Sequence, residues 1–122
     1  MSRLAACCAL WMMTFAAFSA TPRVEWRVET QGKIYASPII ADLENDGKTE
    51  VIIAASRDRR LLCLDGQGRI RWDYRVEDGS SDGFQATPSV LDYDGDGKQE
   101  TFWLTKGGTA GCLDAQGHLI WR

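Results

Sequence analysis

The chain has 122 residues, room for one small domain, and its 44% hydrophobic and 25% charged content is that of an ordinary soluble protein. With 14 basic against 17 acidic residues and a formal charge of −3, it lacks the basic footprint of a nucleic-acid-binding domain, so no nucleic-acid partner is expected.

Arg3 is followed by an uncharged apolar run from Leu4 to Phe18 that ends in small residues. This pattern predicts a secretory signal peptide over residues 1–19, because the run is too short for a spanning helix of about 20 residues. Ala17 and Ser19 supply the small side chains that a signal peptidase reads, so cleavage is expected after Ser19. Leu4-Ala5-Ala6-Cys7 has the residues of a lipoprotein box, but the apolar run follows that cysteine instead of preceding it. The expected mature chain is secreted, periplasmic or extracellular, has no membrane span, and keeps only Cys63 and Cys112. These two thiols occupy matching places in Leu62-Cys63-Leu64-Asp65 and Gly111-Cys112-Leu113-Asp114, which favours two small buried side chains over a disulfide.

After the leader, residues 20–35 contain a strand-like run from Val24 to Val28 that includes Trp26. The remainder repeats. Ala36-Ser37-Pro38 lies over Ala86-Thr87-Pro88, Asp42 over Asp92, Asp46-Gly47-Lys48 over Asp96-Gly97-Lys98 and Glu50 over Glu100, always at an offset of 50. Further on, Leu64-Asp65 matches Leu113-Asp114, Gln67-Gly68 matches Gln116-Gly117 and Trp72 matches Trp121, with the offset slipping to 49. The first unit is residues 36–85 and the second 86–122. A period of this length signals a repeat architecture.

Within the first unit, β-rich runs at Pro38–Ala41, Val51–Ala55, Leu61–Leu64 and Ile70–Val76 alternate with polar or glycine-rich turns. Four antiparallel strands per repeat predict an all-β fold made of β-propeller blades, about two blades of an incomplete propeller. The second unit is expected to stop just where its last strand should begin. Val24–Val28 is expected to be the fourth strand of a further blade, closing the ring.

Between the first two strands of each unit lies an acidic loop. Asp92, Asp94 and Asp96 alternate, Gly97 follows and Glu100 closes the loop. Such a loop can wrap a hard Ca²⁺ ion with side chains from positions one, three, five and nine and the backbone carbonyl of Lys98 from position seven. The first loop offers Asp42, Glu44, Asp46, the Lys48 carbonyl and Glu50, with a longer carboxylate at position three. An EF-hand is excluded, because position twelve is Trp103 or Ile53 and both flanks are strand-like.

These loops and their flanks, Ser37-Pro38-Ile39-Ile40-Ala41-Asp42 through Glu50-Val51-Ile52-Ile53, resemble the FG-GAP or VCBS-type repeats of integrin-α-like β-propellers. The stretch Leu61-Leu62-Cys63-Leu64-Asp65-Gly66-Gln67-Gly68-Arg69-Ile70-Arg71-Trp72 is similar to the repeat of quinoprotein-type propellers, in which a Trp docks between adjacent blades. That resemblance implies such a role for Trp26, Trp72 and Trp121. It brings no cofactor site, since the quinoprotein cofactor sits on the axis of a completed ring.

Catalytic chemistry has little to build on. The single histidine, His118, repeats Arg69 at a turn and is expected to be exposed, and there is no Gly-rich phosphate loop or serine elbow. Gly107-Gly108 reads as a hairpin turn, and the long loop from Glu77 to Gln85 is the expected place of partner contact. The first expectation is a non-enzymatic, exported module with structural calcium that binds a protein or glycan ligand. The alternative is the opening blades of a secreted enzyme, a quinoprotein-like oxidoreductase or a polysaccharide-degrading enzyme.

Overall fold

The computed structural model describes residues 21–77 and 83–122. The expected signal peptide and the Gly79-Ser80-Ser81-Asp82 part of the long loop lie outside them. Two four-stranded antiparallel sheets follow one another along the chain. The first contains β1 (Ile39–Ala41), β2 (Glu50–Ala55), β3 (Arg60–Leu64) and β4 (Ile70–Arg75), and the second β5 (Ser89–Leu91), β6 (Glu100–Leu104), β7 (Ala110–Leu113) and β8 (Leu119–Trp121). In both, each strand pairs with the next in sequence, the simple meander of a propeller blade. Among the described residues no helix is long and apolar enough to cross a membrane.

The strand positions follow from side-chain type. Val51, Ile52 and Ile53 pair with Leu64, Cys63 and Leu62, so β-branched and leucine side chains meet across the centre of the first sheet. The reversals use short polar turns. Asp65 accepts the Gln67 and Arg69 backbone N–H groups through one side-chain oxygen, and Asp114 does the same for Gln116 and His118. The Thr105 N–H donates to Thr109 O across Gly107-Gly108, giving the expected hairpin.

The core lies between the two sheets. Leu43, Ile52, Ala54, Leu61 and Cys63 from the first meet Trp103, Leu113 and Ala115 from the second, with Val76 and Phe84 from the linking segment. Each fully buried Leu or Ile contributes roughly 1.5–3 kcal/mol relative to an exposed one. Trp103 is the centre of an aromatic group, edge-on to Phe84 at 6.0 Å and tilted against Tyr74 of β4 at 5.8 Å. The linker is pinned where Gly83 O accepts the Lys106 N–H and where Gly83 itself presses on the Ser56 carbonyl.

Val24–Val28 pairs with no strand among the described residues, and Val24 is exposed. One expectation is corrected. The second unit does form its last strand: β8 pairs with β7 through Cys112–Trp121 and Leu113–Leu119. Three residues suffice there because the Asp114 turn fixes the register.

Cys63 and Cys112 are both buried and unbridged. Burial pushes the Cys63 thiol up to about 12 and the Cys112 thiol up to about 11, so both are inert at neutral pH.

Candidate metal centre

The β1–β2 and β5–β6 loops share one backbone path. Asn45 and Gly95 at position four, and Gly47 and Gly97 at position six, all have positive φ. Asparagine and glycine are the residues that take this left-handed conformation at low cost. The first aspartate organises each loop. Asp42 accepts the Asp46 and Gly47 N–H groups at 3.0 and 2.7 Å, and Asp92 accepts those of Gly95 and Gly97 at 2.8 and 3.0 Å. The closing glutamate is buried in both loops, where it accepts the N–H of the residue after that aspartate, Leu43 for Glu50 and Tyr93 for Glu100.

The loops differ in how their negative charge is met. In the second, oxygens of Asp92, Asp94 and Glu100 lie within 4.8 Å of one another. Calcium–oxygen distances of about 2.3–2.6 Å put opposite ligands about 5 Å apart, so this spacing suits one ion. Each carboxylate that accepts backbone N–H groups retains further lone pairs for a cation. Glu100 is 3% exposed, and no Lys or Arg among the described residues forms an ion pair with it. The donor set is all carboxylate oxygen, which fits a hard divalent cation. Asp96 stands outside this trio and accepts the Lys98 N–H at 2.8 Å.

In the first loop, Arg71 stands between the carboxylates. Its guanidinium donates to Glu50 Oε1 at 2.6 Å and to Glu44 Oε2, while Glu44 Oε1 accepts Gln116 Nε2 at 2.9 Å from the next sheet. The hydrogen bond from Arg71, then that from Gln116, holds the Glu44 carboxyl below its ordinary value, and the same carboxylates raise Arg71. Asp46 is lowered chiefly by the Lys48 backbone N–H. Asp42, Glu44, Asp46 and Glu50 do not come together as an open oxygen cluster. Glu44 and Glu50 are both paired with Arg71, which meets part of the negative charge of this loop.

Arg71 was not among the residues the sequence pointed to. The signal that could have found it is the comparison of the units themselves, where Arg71 falls over Ile120 and Glu44 over Asp94. His118 is exposed, as expected, with Nδ1 3.0 Å from Asp114.

The tryptophans join the sheets. Trp72 donates its indole N–H to Ala115 O at 3.0 Å, and Trp26 donates to Gly66 O at 3.1 Å. Each ring lies on the glycine two residues beyond the acceptor, Gly117 for Trp72 and Gly68 for Trp26, where a Cβ would be 2.6–2.7 Å from ring carbons. Trp121 is 44% exposed.

Two four-stranded antiparallel meanders packed face to face, with their acidic loops in register, define the chain as a β-propeller protein. A family model described as the lambda-carrageenase beta-propeller domain matches residues 13–86, more than half of the chain, and the chain belongs to that family. The matched stretch takes in the first acidic loop and the whole of the first sheet. A comparison with curated proteins finds no match.

Proposed function

We propose that this chain is an exported, calcium-stabilised propeller module that presents its surface to a polysaccharide and performs no reaction of its own. The calcium is structural: it neutralises the second acidic loop and fixes its path against β5 and β6, as the FG-GAP or VCBS-like motif implies. The observation that carries the reading is the trio Asp92, Asp94 and Glu100, whose buried member has no cationic partner among the described residues. Isolated carboxylates this close repel one another and cost stability unless a cation or protons intervene. The choice of a polysaccharide over a protein ligand rests on the carrageenase named in the family description.

Thermal unfolding with calcium and with chelator tests the metal. Calcium is expected to raise Tm in the parent chain and to leave Asp94→Asn unchanged; equal responses in the two would refute the site. Extracellular calcium modules bind at roughly 10⁻⁴–10⁻³ M, so the titration must reach that range. Affinity electrophoresis through a carrageenan-containing gel tests the ligand, with retardation expected and unchanged mobility counting against it.

The family name also favours a second reading, that these blades are part of a polysaccharide-degrading enzyme. Release of reducing ends from carrageenan by the chain, or by a longer protein that contains it, separates this reading from the first.

A further inference from the structure

The two acidic loops are copies of one design, and a single residue on the last strand of each sheet decides how the design is completed. In the first sheet the β3–β4 ladder slips between Cys63 and Leu64: Cys63 faces Trp72 and Leu64 faces Ile70, which leaves Arg71 as the extra residue. Such a bulge re-aims the side chain it carries. The second sheet repeats the slip between Cys112 and Leu113, and there the extra residue is Ile120. Arg71 and Ile120 therefore occupy the same structural position, one a fixed cation and the other an apolar side chain.

The rest of each loop matches its bulge residue. Glu44 has the length to reach the guanidinium, while Asp94 stays within 4.8 Å of Asp92 and Glu100. Glu50 and Glu100 are equally buried and take the same backbone N–H, but only Glu50 also receives an arginine. Arginine suits this place because its rigid, permanently charged fork can serve two carboxylates at once.

We propose that Arg71 is the built-in cation of the first loop, standing where the second loop takes calcium, so that the chain binds one calcium ion and not two. This rests on the calcium reading of the second loop, and it assigns the two sheets different dependences on the metal. The first sheet carries its counter-charge covalently and keeps its loop in chelator. The second loses its counter-charge when calcium is withdrawn.

Calorimetric titration with CaCl₂ tests the proposal on the full chain, on Asp94→Asn, and on a double variant, Glu44→Asp with Arg71→Ile, that gives the first loop the carboxylates and the bulge residue of the second. The expected stoichiometries are one, zero and two. Adding the double substitution to Asp94→Asn is expected to restore one site. Two sites in the parent chain, a site surviving in Asp94→Asn, or no gain in the combined variant would overturn it. If the parent chain binds no calcium but the combined variant binds one, the role of Arg71 stands and the calcium reading of the second loop fails. Should the double variant fold only with metal, refolding it in excess calcium and then adding chelator reads the same property: collapse on chelation supports the proposal, and failure of calcium to rescue folding overturns it.

Discussion

The Trp72 indole N–H donates to the Ala115 carbonyl, 3.0 Å away in the turn of the next sheet, 43 residues along the chain. The bond ties the last strand of one sheet to the third reversal of the following one, at the rim of the shared core. Trp72→Phe keeps most of the ring and removes the donor. It is expected to cost about 1–2 kcal/mol, the value of a hydrogen bond whose acceptor is left without its partner. Urea unfolding should show a lower midpoint with an unchanged slope.

The same joint depends on the absence of a side chain at Gly117, which has φ +84 and where a Cβ would be 2.6 Å from Trp72 Cγ. Gly117→Ala is expected to cost about 1–3 kcal/mol by overpacking and backbone strain. Gly66→Ala is the control, since nothing lies within 4 Å of a Cβ there and its φ is not positive. Its effect on Tm should be close to nil.

The Glu44 carboxyl titrates below its ordinary value of 4.5 in the folded chain, chiefly through its hydrogen bond with Arg71. A depressed carboxyl stabilises the fold above its unfolded value, and that contribution disappears as pH falls through the folded value. The stability gap between the parent chain and Glu44→Gln is therefore expected to be constant from neutral pH down to about 5 and to close below about 4. Parallel denaturant titrations across that range measure it. A gap that persists undiminished at the acid end would refute the ion pair.

Thr101 is fully buried and its hydroxyl has no hydrogen-bond partner among the described residues. An unpaired buried hydroxyl costs about 1–3 kcal/mol, and the equivalent residue in the first sheet is Val51. Thr101→Val is expected to raise stability by about 1 kcal/mol, or about 4 °C in Tm for a domain of this size. Calorimetric melting with chelator present isolates this effect from calcium.

Most of the fold could be read because it is written twice. Each strand of the first sheet begins and ends within a residue of its β-rich run, and the offset of 50 that slips to 49 coincides with a chain that pairs each strand with the next. Val76 marks the limit of such reading: it continues the apolar pattern of β4, yet it leaves the strand to become buried between the sheets. Val24–Val28 has strand composition but pairs with no strand among the described residues, and composition carries no information about neighbours. The acidic loops were legible as repeated units because their carboxylates lie within nine residues of one another. Arg71 was not, because it reaches Glu44 across 27 residues only through a one-residue slip in the β3–β4 ladder, which alternation alone would not reveal.

The tryptophan joint has a polarity. Each sheet offers an indole from its final strand and receives one on the turn before that strand, so neighbours meet head to tail and never through a two-fold axis. Interfaces of this kind propagate, closing into a ring when the rotation per unit divides a full circle and running on as a filament when it does not. The gatekeeper at every step is a glycine hydrogen where a methyl group would strike the ring. Trp121, turned to solvent, can accordingly be met only by a turn that carries glycine at that point, whether in another part of the same polypeptide or in a second copy of it.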